Sequence, residues 1–113
     1  MAPLTAGCAS GTQGAARSET GGAESILSQA QDSLVRQYAS LELRLSEDKL
    51  ARANQAYGDD DYQKAQFLAS EAMADAKLAQ ARAKNTNTKQ MVQKLRESID
   101  QLHREIENNN TEP

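Results

Sequence analysis

Few residues of this chain carry side chains suited to chemistry, and their spacing decides what each can do. Cys8 is the single cysteine, His103 the single histidine, and the densest acidic cluster is Asp59-Asp60-Asp61. One cysteine excludes an intramolecular disulfide. One histidine excludes His-His and Cys-His zinc sites and the familiar hydrolase triads. His103 follows Leu102 on a stretch rich in Glu and Arg, the setting of a solvated helix face. A calcium loop needs acidic residues at alternate positions, then a glycine and a distant glutamate. Three adjacent aspartates do not meet that pattern; between two helical stretches they cap the second. The early glycines have neither a preceding strand nor a lysine in place for a phosphate loop. The expectation is therefore no catalytic residue, metal, cofactor or small-molecule substrate.

Cys8 differs because of its neighbours. It lies in Leu4-Thr5-Ala6-Gly7-Cys8-Ala9-Ser10, ahead of a Gly/Ser/Thr-rich tract reaching about Gly22. Small residues before a cysteine are what a lipoprotein signal peptidase admits, because its site takes an extended backbone without bulk before the cut bond. The cysteine then becomes a lipid-bearing N-terminus. The segment resembles a bacterial lipobox, with Thr5 where an aliphatic residue is usual and Leu4 one step earlier. Seven residues precede Cys8, without Lys, Arg or an apolar run. A working export signal is ~15–30 residues long, so the reading expects the true start upstream of Met1. Nothing approaches the ~18 apolar residues that span a bilayer, which leaves the lipid as the membrane contact.

The elements that must position any surface are helical. The chain is 38% hydrophobic, but it has no Trp, one Phe and three Tyr, and much of the rest is alanine. So little bulk does not fill a thick core, whereas an elongated bundle buries only one stripe per helix. Net charge is −3, with 13 basic against 16 acidic residues spread along the chain; no basic face suggests nucleic-acid binding. Residues 1–23 hold most of the glycines and only two charges, so they are expected as a disordered, flexible tail that gives a lipid anchor reach.

A helix is expected over about 24–57, with a break near Ser40, a competent N-cap. Its first part carries Leu27, Ala30, Leu34, Tyr38, Leu41 and Leu45 on one stripe. Its second part carries Leu43, Leu50, Ala53 and Tyr57 on another, turned well around the axis. Gly58 suits the left-handed stop of that helix, and 58–61 forms the turn. A second helix over about 62–107 places alanine at 65, 69, 72, 76, 79 and 83. A connection this short makes the two helices antiparallel neighbours. Tyr57 then meets Tyr62, Ala53 meets Leu68, Leu50 meets Ala69 and Leu43 meets Ala76, so large residues face small ones. The hairpin seam is completed by Ala65, Ala72 and Ala79. The fold class is all-α: an elongated, coiled-coil-like antiparallel helical hairpin, with residues 108–113 a disordered end.

Beyond the polar patch Asn85-Thr86-Asn87-Thr88, the residues Val92, Leu95, Ile99, Leu102 and Ile106 recur in three-and-four steps. The hairpin is too short to cover them all. A bare apolar stripe usually marks an interface, so Leu95, Ile99, Leu102 and Ile106 are the candidate interface. Its expected occupant is another copy of the chain or an envelope protein.

The ordered combination of these features resembles a family. Lys49-Leu50 and Ala53, then Gly58-Asp59-Asp60-Asp61-Tyr62, then Ala65, Leu68, Ala69, Ala72, Asp75, Ala76, Ala79 and Ala83, look like an uncharacterised domain family of Gram-negative envelope lipoproteins. There an AGC lipobox leads a short tract and an Ala/Leu-rich hairpin follows a Gly-Asp-Tyr turn. The resemblance covers residues 38–84 and Gly7-Cys8-Ala9-Ser10, and 92–106 more loosely. It implies a lipid-anchored protein on the periplasmic face of the outer membrane, consistent with Ala9 rather than Asp after the cysteine. Members often carry an OmpA-like, wall-binding domain; no segment of residues 1–113 matches one, so wall binding is not carried over. The family supplies no catalytic residues. The expected function is a structural or adaptor module of the periplasm, with a soluble, non-lipidated coiled-coil protein as the alternative.

Overall fold

A computed structural model describes the backbone of residues 3–111 and the side chains of 12–111. The molecule is all-helical and elongated. Its described elements are α1 (Pro3–Ala30), α2 (Ser33–Tyr38), α3 (Ser40–Gly58) and α4 (Tyr62–Thr111). At 1.5 Å per residue, the 50 residues of α4 make a rod of roughly 75 Å. The other three helices lie along the first part of that rod.

The hairpin of α3 and α4 forms around a short, specific turn. The amides of Asp59, Asp60 and Asp61 donate to the carbonyls of Gln55, Tyr57 and Ala56 at 3.0, 3.1 and 2.9 Å. The left-handed residue of this turn is Asp60, at φ 62°, and no described glycine has positive φ. The expectation that Gly58 would take that conformation is corrected: Gly58 is still helical. Aspartate tolerates the left-handed region better than most residues, because its short polar side chain finds a local partner. Here that partner is the Tyr62 hydroxyl, which donates to Asp60 Oδ1 at 2.9 Å. The amide of Lys64 donates to Asp61 Oδ1 at 3.3 Å, so Asp61 caps α4.

A third helix joins the hairpin. Residues 12–23, expected as part of a flexible tail, belong to α1, and Ala16, Thr20 and Ala23 on it are buried. Glycine and serine made that tract look like a linker. Its buried residues instead recur at 16, 20, 23, 27 and 30, in four-and-three steps, and all but Leu27 are small. Ala16 clusters with Ala56 and Ala65 beside the turn, while Glu19 Oε2 accepts from Ser70 Oγ at 3.2 Å. Farther on, the Tyr38 hydroxyl donates to Gln90 Oε1 at 2.7 Å. The ascending partners show that α1 and α2 run parallel to α4, while α3 returns antiparallel between Tyr38 and the turn.

The break in the first half occurs twice. Asp32 caps α2, accepting from the Val35 amide at 2.8 Å. A second interruption at Ala39 (φ −140°, ψ 39°) precedes α3, so Ser40 is the first helical residue and not the cap. Because the chain restarts at Asp32, the stripe expected through Leu34, Leu41 and Leu45 is lost. Val35 is buried in its place, and those three leucines are exposed. The expected end at 108 is also later: α4 continues to Thr111.

Candidate interaction surface

The alanine stripe of α4 is the floor of the bundle. Ala65, Ala69, Ala72, Ala76, Ala79 and Ala83 are each at most 1% exposed. Leu68 is buried with them, as are Leu43, Leu50 and Ala53 of α3. Tyr57 and Tyr62 are half-buried and meet edge to face, their ring centroids 5.3 Å apart. Small residues suit this stripe because α3 and, in succession, α1 and α2 all pack on α4. Methyl-sized side chains let backbones approach closely, and interiors at native density leave no room for more.

Polar groups fix the register along this seam. Ser46 is 1% exposed, and its hydroxyl donates to the Ala72 carbonyl of α4 at 2.7 Å. Lys49 Nζ lies 2.7 Å from Asp75 Oδ2 and 3.9 Å from Glu71 Oε2. The Asp75 carboxylate, by hydrogen bond, holds the Lys49 pKa above its ordinary 10.5, while partial burial works against the rise. Arg82 pairs with Glu42, and Gln31 Nε2, in the link between α1 and α2, donates to Glu47 Oε1 of α3 at 3.1 Å. These contacts tie the first 30 or so residues of α4 to the helices packed on it.

Among the described residues no three of His, Cys, Asp and Glu gather as metal ligands. Of the turn's aspartates, Asp61 caps α4 and Asp60 accepts from Tyr62. A shallow hollow beside the turn is lined by Arg52, Asp59, Asp61 and Lys64, whose charges balance. His103 stands exposed on the outer part of α4. No described helix is long and apolar enough to cross a membrane. Cys8, the candidate lipid-attachment residue, lies outside the described side chains.

Beyond the bundle α4 projects alone. Every residue from Lys89 to Thr111 is exposed. Along this arm Leu95 is 61% exposed, Ile99 45%, Leu102 56% and Ile106 56%, with Val92 at 43%. Leu95, Ile99, Leu102 and Ile106, the interface residues expected from sequence, stand on one face of one uncovered helix. The face is not a continuation of the alanine floor. At 100° per residue, the stripe from Val92 to Ile106 points roughly 150° around the axis from the stripe of Ala65 to Ala83. Extending α1 and α2 would therefore leave it bare. Sequence reasoning did not reach Phe67 and Leu78, which are also exposed on α4 (64% and 45%); their spacing from Val92, in whole or part heptads, was the available signal.

A domain family described as a domain of unknown function (DUF4398) matches residues 18–95. The match begins inside α1 just after Ala16, covers α2 and α3 and ends within the projecting arm. No curated protein and no solved structure matches the chain.

Proposed function

We propose, for a chain that belongs to the DUF4398 family of domains of unknown function, that the protein works by docking and spacing and performs no chemistry of its own. The observation that carries this reading is a contrast along one helix. The first part of α4 is lined with alanines at most 1% exposed, whereas its last part carries four large aliphatic residues 45% exposed or more. The alanine seam itself is closed along its length, which supports a surface and not a pocket between those helices as the working part. An apolar stripe on a helix without a neighbour is the usual mark of a protein-binding face.

The second part of the proposal is the site of action. The motif at Cys8 and the resemblance to envelope lipoproteins support a lipid-anchored protein on the periplasmic face of the outer membrane. The fold changes how such an anchor would work. Residues 12–23 are packed helix and add no slack to a tether. Because α1 runs parallel to α4, its amino-terminal end lies at the turn end of the bundle. A lipid at Cys8 would hold that end near the membrane, and the bare stripe would begin ~45 Å farther along α4.

Two experiments test these parts separately. A photoreactive amino acid at position 99, introduced in cells, should yield cross-linked adducts that the same probe at exposed Ala51 does not. No adduct at 99 would remove the docking reading. Metabolic labelling with palmitate should mark the protein, and Cys8→Ser should abolish the mark. An unlabelled wild type would leave the soluble coiled-coil alternative.

A further inference from the structure

We infer that the arm of α4 pairs with a second copy of this chain as a parallel, in-register, two-stranded coiled coil running from about Asn85 to Ile106. The inference rests on the docking reading above and adds its occupant and geometry. Its first support is the register. With Val92 set as position a of a heptad, Ile99 and Ile106 are also a, and Leu95 and Leu102 are d. The exposed Leu78 falls at a and the exposed Phe67 at d of the same register. Of the large apolar residues exposed on α4, Met91 alone falls outside it. Chance exposure would scatter such residues around the helix.

The identities at those positions select the assembly. β-branched residues at a with leucine at d favour two parallel strands, whereas isoleucine at both positions favours higher orders. Here a is Val, Ile, Ile and d is Leu, Leu. Asn85 is exposed and falls at the a position one heptad before Val92. A single asparagine at a fixes register, because in a parallel in-register pair it meets its own copy and both amides find partners. In an antiparallel pair it would face an aliphatic residue and go unsatisfied.

Flanking charge permits a parallel pair over Met91 to Ile106. The e positions are Lys89, Arg96 and His103, and the g positions are Met91, Ser98 and Glu105. An antiparallel pair sets e against e, so Arg96 would approach His103 on a row without acids. A parallel pair sets each g against the next e of its partner: Met91 against Arg96, Ser98 against His103. Neither is a like-charge pair. Nearer the bundle, Lys84 would oppose Lys89, which sets the opening end of the coil. Shape allows it as well. The stripe points roughly 150° away from the bundle floor, so in a parallel pair the two bundles stand on the outside without collision.

The test uses the full chain with Cys8→Ser, so that each added cysteine is unique. Sedimentation equilibrium should give twice the 12.3 kDa of one chain, and Ile99→Asp should return it to one. Leu95→Cys and Leu102→Cys, each alone, should both oxidise to disulfide-linked dimers, because in a parallel in-register coil each d residue meets itself. Disulfide formation requires Cβ atoms within ~4.5 Å, and no antiparallel register brings both 95 and 102 to their own copies. A monomeric wild type overturns the inference. So does a dimer in which either cysteine fails to cross-link. A monomer that still gives adducts at position 99 in cells would overturn self-pairing and leave the docking reading standing.

Discussion

Replacing Ala76 by leucine probes the claim that methyl-sized side chains set the distance between helices. Ala76 is 0% exposed, and its neighbours along the stripe, Ala72 and Ala79, are 1% and 0% exposed. Leucine adds three carbons where α1 and α3 already press on α4. Had the site room, burying that side chain would stabilise by about 1.5–3 kcal/mol. With no room, the helices must separate, and the neighbouring alanines lose their contacts too. Overpacking of this kind destabilises by about 1–3 kcal/mol. For a chain of this size that lowers Tm by roughly 4–18 °C. Ala51→Leu, at an exposed position of α3, is the control and should stay within about 0.5 kcal/mol of wild type. Thermal unfolding followed by circular dichroism reads both. Equal melting curves for the two variants would refute the reasoning, because the seam would then have space to spare.

Three more expectations follow from single residues. Gly14 and Gly21 sit in α1, and an added Cβ would meet nothing within 4 Å at either; Gly14→Ala and Gly21→Ala should each stabilise by about 0.5–1 kcal/mol, whereas a flexible tail would leave the melting curve unmoved. Ser46→Ala removes the hydrogen bond to the buried Ala72 carbonyl and should cost about 1–2 kcal/mol in urea unfolding; no loss would mean that carbonyl is satisfied otherwise. Lys49 and Tyr62 both have raised pKa values, the first held by the Asp75 carboxylate and the second by its hydrogen bond to Asp60. The fold therefore favours their protonated forms, so their contribution is complete below the ordinary values near 10 and drains away as pH climbs through the raised ones. Stability should fall above about pH 10, and Lys49→Met should flatten part of that fall; an unchanged pH profile would exclude the ion pair as its source.

The alanine floor was legible in sequence because its four-and-three spacing is uninterrupted and its composition points one way. The bare arm was legible from length alone, since α3 is too short to cover α4. What composition hid was α1. Gly11, Gly14, Gly21 and Gly22 weigh toward a linker when residues are counted, yet Ala16, Thr20, Ala23, Leu27 and Ala30 keep helical phase. A small-residue face is sufficient for packing when the surface opposite is alanine. The break at Gln31–Asp32 was hidden for a related reason: Leu34, Tyr38, Leu41 and Leu45 continue the apolar phase across it. Only the capping capacity of Asp32 argues for an interruption, and capping decides the outcome by freeing Val35 to enter the core. At the turn, Asp60 takes the left-handed role because Tyr62 supplies its carboxylate with a donor, a contact two residues away that residue propensity does not register.

Amide hydrogen exchange along residues 92–106 of the full chain tests the central claim most directly. An isolated helix of that length is marginal in water, so an arm with no partner should exchange far faster than the α4 segment spanning Ala65–Ala83. The account predicts protection over 92–106 that weakens on dilution and vanishes in Ile99→Asp, while the bundle stays protected throughout. Rapid exchange of the arm at every concentration, identical in wild type and Ile99→Asp, would contradict it.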